Sequence, residues 1–407
     1  MLTLIIGSGP SGLFAAINAK HQNNEVLVIE KNHKPGKKLF ITGKGRCNVT
    51  NDCSKQEFIN HVVSNPKFLY SAINAFSSQD TIEFFTRHHT DLVIERGHRV
   101  FPKSYHSYDI TDCLYQTAID LGVKFHFNEK VLDIDKNIDS FIIKTDQNIY
   151  KADYLVIATG GLSYPSTGSD GDGYRFAKKL SHHITDLSPA LVGMKINHAI
   201  PSSLYKKILK NVSLIAITNN QKMSEFGEMT FYEDYIDGPI VITLSSYLNK
   251  ITTPIELFLD LKPALNNEQL NERILREIKS NPKNTIMDLL ASLLMRDFIP
   301  LFIDETKLPT NVTLANMNKD QRTTLIKYLK AFPLYYKGLL GFERAIVTSG
   351  GVDIKEISSS TMESKLVKNL FFVGEVLDVD ALTGGFNIQI ALSTAYLAGN
   401  TIKKRIN

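Results

Sequence analysis

The sequence predicts an α/β protein built on a parallel sheet, with a mixed section of strands and helices inserted into it. Three observations carry this. A strand, a glycine-rich turn, a helix and a second strand follow one another within residues 2–30. A strand ending in glycine returns near the C-terminus, followed by a long apolar helix. Between the two, from about Leu191, short alternating strands give way to amphipathic helices.

The first unit sets the pattern. Leu2-Thr3-Leu4-Ile5-Ile6 reads as a buried strand, Gly7-Ser8-Gly9-Pro10-Ser11-Gly12 as a turn, and Leu13 to Ala19 as a helix. Val26-Leu27-Val28-Ile29 is a second strand and ends at Glu30, with Lys31 beyond it. This is the order of a dinucleotide-binding, Rossmann-type βαβ unit. Gly7 permits the tight turn, Gly9 lets the backbone approach a pyrophosphate, and Gly12 lets helix and strand pack closely. The helix opened by Pro10 and Ser11 offers free N–H groups and a positive dipole end to phosphates. Glu30 can accept hydrogen bonds from both ribose hydroxyls of an adenosine, and its charge disfavours a 2′-phosphate. Lys31 is grouped with it as a cofactor contact.

Further along, Phe68 to Phe76, Thr81 to His88 and Asp109 to Leu121 carry apolar residues at helical spacing. Val123 to Phe127, Lys130 to Asp135 and Ser140 to Thr145 read as strands of a meander. Asp153 to Ala158 is a buried strand ended by Thr159-Gly160-Gly161, and Gly173 to Leu180 a short helix. In the middle section, strands are expected at Leu191 to Ile196, Val212 to Thr218, Glu228 to Tyr232 and Ile255 to Leu261. Asn219-Asn220 and Asp237-Gly238-Pro239 mark turns. Helices are expected at Asn267 to Ile278, Thr285 to Met295 and Lys319 to Leu329. The section from Ala345 looks like the missing part of the N-terminal domain. The expected division is therefore 1–190, an insert over 191–344, and 345–407.

With 407 residues, two domains are the natural expectation. Hydrophobic content of 43% and charged content of 22% are globular values. The formal charge of +4 gives no reason to invoke nucleic acid. No apolar run has membrane-spanning length, and the first strand starts at Leu2, so neither membrane nor targeting peptide is expected. Three cysteines, none in a CxxC pair, suit a reducing cytoplasm and argue against a redox dithiol or a metal site. No tryptophan is present, which excludes a Trp-lined substrate box.

The first βαβ unit does not distinguish NAD from FAD; three later features favour the flavin. Phe371-Phe372-Val373-Gly374-Glu375 is a strand ending in glycine and a carboxylate, placed to accept a ribityl hydroxyl. Gly384-Gly385-Phe386-Asn387 opens a helix whose free N–H groups would face the N1/O2 edge of a flavin and stabilise charge there. Ala158-Thr159-Gly160-Gly161 ends a strand where a cofactor approaches the backbone closely. Gly168-Ser169-Asp170-Gly171-Asp172-Gly173 has the wrong glycine order for a second fingerprint. A dedicated NAD(P) domain is therefore absent, and NAD(P)H would dock transiently.

Several longer runs are more specific. They are Gly36-Lys37-Lys38-Leu39-Phe40-Ile41-Thr42-Gly43-Lys44-Gly45-Arg46-Cys47-Asn48-Val49-Thr50-Asn51, Arg99-Val100-Phe101-Pro102, Ser163 to Tyr174, Thr348-Ser349-Gly350-Gly351-Val352, and Gly374 to Asp380. Together they resemble the bacterial BaiN/YhiN-type FAD-dependent oxidoreductases, the aminoacetone oxidase-like flavoproteins. The resemblance implies a glutathione-reductase-like FAD domain with an inserted domain that caps the flavin. It implies that Thr42, Gly43, Gly45, Arg46, Cys47 and Asn48 wrap the cofactor, with Arg46 neutralising the pyrophosphate and Cys47 a small packed residue. Lys38 is a candidate phosphate contact, and Val131 the expected backbone partner of adenine. Many relatives carry a Thr-His pair before Gly-Leu-Ser-Gly-Pro, where this chain reads Tyr232-Glu233-Asp234-Tyr235-Ile236-Asp237-Gly238-Pro239. Glu233 thus stands in the place of a histidine, and Glu233 and His98 are the candidate acid–base groups.

The expected chemistry is hydride transfer between a small organic substrate and flavin N5, with reoxidation by O2 or coupling to NAD(P)H. One alternative is a flavin-dependent RNA-modifying enzyme, using Lys206, Lys207, Lys210 and Lys222 of the insert. Those lysines lack interleaved aromatics, which disfavours it. A non-catalytic flavin redox sensor is the other. The oligomeric state is left open.

Overall fold

The computed structural model describes residues 1–219 and 221–407, except for the side chains of residues 42–44. The turn expected at Asn219-Asn220 includes Asn220, outside the described residues, as are the side chains of Thr42 and Gly43. The chain forms two compact units, Met1–Ala190 with Phe342–Asn407, and Leu191–Gly341.

The first unit is organised by β1 (Leu2–Ile6), α1 (Pro10–Ala19), β2 (Glu25–Glu30), β3 (Lys124–Phe127), β4 (Tyr154–Ile157), β5 (Leu370–Phe372) and α2 (Phe386–Ile406). The five strands lie in the order β5-β4-β1-β2-β3, all parallel. Parallel strands covered on both faces read as unbroken apolar runs, and Leu4, Ile5, Val26, Val28, Leu155, Val156 and Phe371 are fully buried. Each such side chain contributes about 1.5–3 kcal/mol.

The register gathers the strand ends. Ile6 is level with Ile29 and with Ile157, and Ile157 is level with Phe372. The carboxyl ends of four strands therefore leave the sheet together, where α1 begins. Behind them, Gly399 of α2 sits against α1: a Cβ there would lie 2.9 Å from the Ala15 carbonyl oxygen and 2.7 Å from the Asn18 Cβ.

Residues Lys124–Phe127 depart from the expectation. They do not start the meander; they are the edge strand β3 of the parallel sheet. The meander consists of Val131–Lys136, Phe141–Thr145 and Ile149–Ala152. A half-covered edge strand alternates just as a meander strand does, so the local pattern is the same. A second small antiparallel sheet joins Thr50–Asn51, Arg99–Pro102 and Leu92–Glu95.

The second unit has its own core, with Phe231, Phe298, Phe302 and Phe332 at its centre. Its antiparallel sheet runs in the order Phe332–Leu334, Glu256–Asp260, Ile208–Ile217, Lys222–Phe231, Tyr235–Asp237, Met194–Ile196, Tyr336–Leu339. Helices Asn267–Ser280, Ile286–Leu293 and Lys319–Lys330 each start at a capping box, on Asn266, Thr285 and Asn318. The turn expected at Asp237-Gly238-Pro239 instead starts a helix, Pro239–Leu248. Proline is tolerated in the first helical turn because its missing N–H has no partner there.

Candidate functional site

The turn after β1 is shaped by contact. Gly7 donates its N–H to the Ile29 carbonyl at 2.9 Å, tying the turn to β2. A methyl on Gly12 would overlap the Gly7 carbonyl oxygen. At Gly9 the opposite holds: a Cβ would meet nothing within 4 Å. Gly9 is the N-cap of α1, with no side chain capping the helix and Pro10 in its first turn. Free donors thus face open space at the positive end of a buried helix. Ser11, in the same turn, packs its hydroxyl beside Gly374, the first residue after Val373 at the end of β5.

Glu30 lies buried at the end of β2. One carboxylate oxygen accepts from the Ser8 amide and the Ser8 hydroxyl, both at 2.8 Å. The other accepts from the Asn32 amide at 2.8 Å and the Asn32 side chain at 2.7 Å. Lys31 turns to Asp170 and Asp172, at 2.5 and 3.0 Å.

A second carboxylate centre stands at the end of β5. Glu375 accepts from the Lys38 ammonium at 2.7 Å on one oxygen. Its other oxygen accepts from the Ser163 hydroxyl at 2.6 Å and the Thr348 amide at 2.9 Å. Lys38 also donates to Ser163 at 2.6 Å. Burial pushes the Glu375 carboxyl up, but Lys38 first, then Ser163 and the Thr348 amide, outweigh it and hold the group below the usual carboxylate range. Gly161 lies against this cluster: a Cβ there would sit 2.5 Å from the Thr348 hydroxyl and 3.0 Å from a Glu375 oxygen. Gly160 has φ +73° and backs onto Ser169, while Thr159 backs onto Gly173.

The third group surrounds the start of α2. Gly385 is its N-cap, at φ +95°, again without a side-chain cap. It is pressed against the Thr50 backbone, and Asn51 donates to the Gly384 carbonyl at 3.2 Å. Phe386 stacks on His61 at 4.4 Å, and Asn387 clasps the backbone of Ala381 through both ends of its amide, at 2.9 and 2.7 Å. Gly45 ends the 3-10 turn Leu39–Gly45, and Cys47 is buried at φ +54°. Asn48 has a buried side-chain oxygen with no hydrogen-bond partner. Arg46 pairs with Glu95 at 3.1 Å and lies 4.5 Å over the Phe101 ring. Val131 is buried at the start of its strand.

The structure therefore brings Gly7, Gly9, Pro10, Ser11, Gly12 and Glu30 together with Thr159, Gly160, Gly161, Gly374 and Glu375 beyond the carboxyl ends of the parallel strands. The residues that sequence reasoning passes over are the partners: Ser8, Asn32, Ser163 and Thr348. Ser163 and Thr348 stand in specific motifs, and those motifs are the available signal. The set fits FAD: open space over uncapped helix N–H groups for a pyrophosphate, strand-end carboxylates for hydroxyls, and the orphaned amide oxygen of Asn48 for a further donor. Of the acid–base candidates, His98 is exposed on the turn between Leu92–Glu95 and Arg99–Pro102, and Glu233 is exposed on a turn of the second unit. Burial pushes the Cys53 thiol up to about 11 and raises Cys113, so neither is a thiolate at neutral pH. Among the described residues no group of three His, Cys, Asp or Glu is placed to hold a metal, and no helix is long and apolar enough to cross a membrane.

The HI0933-like protein Rossmann domain matches residues 1–401. The chain belongs to this family. It is the FAD-binding Rossmann group that the motifs resemble, a family of FAD-dependent oxidoreductases. Relatives span nearly the whole chain. The 3-dehydro-bile acid Δ4,6-reductase of Clostridium scindens is 28% identical over 98% of each chain. The ribosomal RNA dihydrouridine synthase of Escherichia coli is 30% identical over 97% of this chain and 96% of that protein. Its Haemophilus influenzae counterpart is 29% identical over 99% and 98%. Among solved structures, Escherichia coli quinol fumarate reductase is similar with a TM-score of 0.52 at 16% identity, over 100% of this chain and 70% of that one. The 3-ketosteroid-Δ4-(5α)-dehydrogenase of Rhodococcus jostii gives 0.51 at 14%, over 98% and 96%. At such identities the likeness concerns the fold.

Proposed function

We propose that the protein is an FAD-dependent oxidoreductase that reduces a carbon–carbon double bond conjugated to a carbonyl group in an organic substrate, with NAD(P)H as the transient electron donor. The observation that carries the cofactor is the open, uncapped start of α1 flanked by two strand-end carboxylates. Bound FAD supplies a hydride at N5. The residues of the chain do the rest. The start of α1 at Gly9 would hold the pyrophosphate, with Gly45 to Asn48 as further contacts. Glu30 orients the adenosine ribose, and Val131 meets the adenine. Glu375, fixed by Lys38 and Ser163, would hold the ribityl chain, and the start of α2 would offer its positive dipole end to the flavin. The bond class rests on what the relatives' names share. A bile acid Δ4,6-reductase and a dihydrouridine synthase both add hydrogen across a double bond that an adjacent carbonyl polarises.

The second reading keeps this chemistry and places the double bond in a uracil of RNA. It is favoured by the two relatives named as ribosomal RNA dihydrouridine synthases.

One experiment addresses both. The purified protein should be yellow, and NADPH or NADH should bleach its visible band under anaerobic conditions. A Δ4-3-ketosteroid, or a uridine-containing RNA, should then restore the colour and be recovered with two added hydrogens. A colourless protein removes the cofactor assignment. Bleaching by no donor removes the enzymatic one.

A further inference from the structure

The segment from Leu92 to Tyr108 carries a surface of which the cofactor assignment uses only Arg46, folded onto it from outside the segment. Its hairpin places Glu95 opposite Arg99 and Val93 opposite Phe101. Arg99 and Phe101 share one face of the strand because side chains alternate. Above that face the Arg46 guanidinium lies 4.5 Å from the Phe101 ring centre and 5.5 Å from that of Tyr105. Arg99 lies 5.8 Å from the Phe101 ring. Beyond it, His106 stacks on Tyr108 at 5.1 Å and 16°. Tyr105 and Tyr108 are 41% and 46% exposed. Phe101 itself is buried, whereas Tyr105, His106 and Tyr108 present their rings to solvent beside the partly exposed guanidinium planes of Arg46 and Arg99.

The charge balance leaves this surface cationic. Glu95 is shared by Arg46 at 3.1 Å and Arg99 at 3.6 Å, one carboxylate for two guanidinium groups. Arg96 is exposed and has no ion-pair partner among the described residues. Lys103 meets Asp91 at 3.4 Å with both side chains 69% exposed, a pair that an incoming phosphate can exchange at little cost. Asp109 is occupied by the Ser104 hydroxyl.

We propose that this face docks single-stranded RNA. Cations set beside exposed rings match a chain that carries both phosphates and unstacked bases. A lipid headgroup or an acidic peptide would use the charges and leave the rings idle. The surface also leads somewhere. Asn51 donates to the Gly97 carbonyl at 3.1 Å and to the Gly384 carbonyl at 3.2 Å, so the tip of the hairpin is tied to the loop that opens α2. A base held at the tip would lie beside the residues assigned to the flavin. That last step rests on the cofactor reading; the docking does not.

The test uses the full-length, flavin-loaded protein and a fluorescein-labelled oligouridylate of about twelve nucleotides, within the usual site size. Fluorescence anisotropy should show binding that weakens with salt, with a log–log slope of about −0.7 for each phosphate contacted. Tyr105→Ala should weaken it roughly 5- to 150-fold, the loss of one stacked base, while Tyr105→Phe keeps the ring and should bind like the wild type. Arg96→Ala and Lys103→Ala should each lower the salt slope by about 0.7. Unchanged flavin absorbance shows that the variants are folded. The proposal is overturned by no binding at low salt, by tighter binding of a double-stranded RNA, or by capture on phosphatidylglycerol vesicles in place of RNA. Heparin bound as well as RNA, with Tyr105→Ala without effect, also overturns it, because charge alone would then act. Any of these outcomes beside intact NAD(P)H-driven bleaching leaves the redox assignment standing.

Discussion

Glu30 shows how a proposed cofactor contact is prepared at the scale of one residue. Its two oxygens take four donors from Ser8 and Asn32, which fills the acceptor capacity of a carboxylate. Two of those donors are backbone amides and fixed; the Ser8 hydroxyl and the Asn32 amide are the ones a ribose can replace. In Glu30→Gln one oxygen becomes an NH2 group facing donors. A buried group left in that state costs about 1–3 kcal/mol. We expect the variant to purify with less flavin and to unfold at a lower temperature; full flavin content would show that adenosine does not sit there. Glu375 makes a prediction about pH. Its folded pKa lies below the usual value of 4.5. The unfolded chain therefore binds its proton first as pH falls. The stabilisation is complete above the ordinary glutamate range and is lost as pH drops through the depressed value. Thermal midpoints measured on the acid side should fall less steeply in Glu375→Gln than in the wild type. Parallel curves would mean that the Lys38–Glu375 pair contributes nothing to folding.

At the scale of elements, the packing of α2 on α1 depends on Gly399, where any side chain would press on the Ala15 carbonyl, the Ala19 amide and Asn18. Backbone atoms cannot rotate away, so Gly399→Val should destabilise by about 1–3 kcal/mol. Because the other end of α2 is the Gly385 terminus at the proposed flavin site, flavin retention should fall with stability. A variant with both properties unchanged would show that the helices can move apart freely. The same physics decides which elements are legible in the sequence. β1, α1, β2 and β4 are, because burial on both faces, or along one helical stripe, leaves a periodic trace. The amphipathic helices Asn267–Ser280 and Lys319–Lys330 are legible from their stripes and capping residues. β3 reads as a meander strand because a strand's neighbour is not written in its own residues. Pro239 reads as a turn residue because proline in a first helical turn looks the same locally. For the site, the carboxylates at strand ends can be placed from local pattern. Their partners cannot, since Lys38 and Glu375 stand 337 residues apart. The basic and aromatic face of the hairpin is partly legible, since Arg96, Arg99, Lys103, Tyr105, His106 and Tyr108 stand in one short run. What the sequence does not show is that Arg46 folds onto Phe101 and Tyr105 to join that run.

At the scale of the whole molecule, the two cores are built from different stretches of chain, and the ends of each stretch are stitched together. Within the second unit, Met194–Ile196 pairs with Tyr336–Leu339, and Leu340 donates to the Gly193 carbonyl at 3.0 Å, so the first and last residues of the segment are neighbours. Within the first unit, Ser188–Ala190 pairs with Val347–Ser349, so its two halves also meet where the insert leaves. A segment whose ends are adjacent can be removed without stretching what remains, because a short flexible linker spans the gap at small entropic cost. Every residue assigned to FAD belongs to the first unit. Joining Ala190 to Phe342 through a few Gly and Ser residues should therefore give a protein that folds and still carries flavin. It should also be bleached by dithionite, which needs no substrate site. The segment Leu191–Gly341 expressed by itself should fold with the circular dichroism of a mixed helix-and-sheet protein and stay colourless. If the shortened protein is soluble and cooperatively folded yet holds no flavin, residues of the insert take part in binding the cofactor, and the assignment of the whole FAD site to one unit fails.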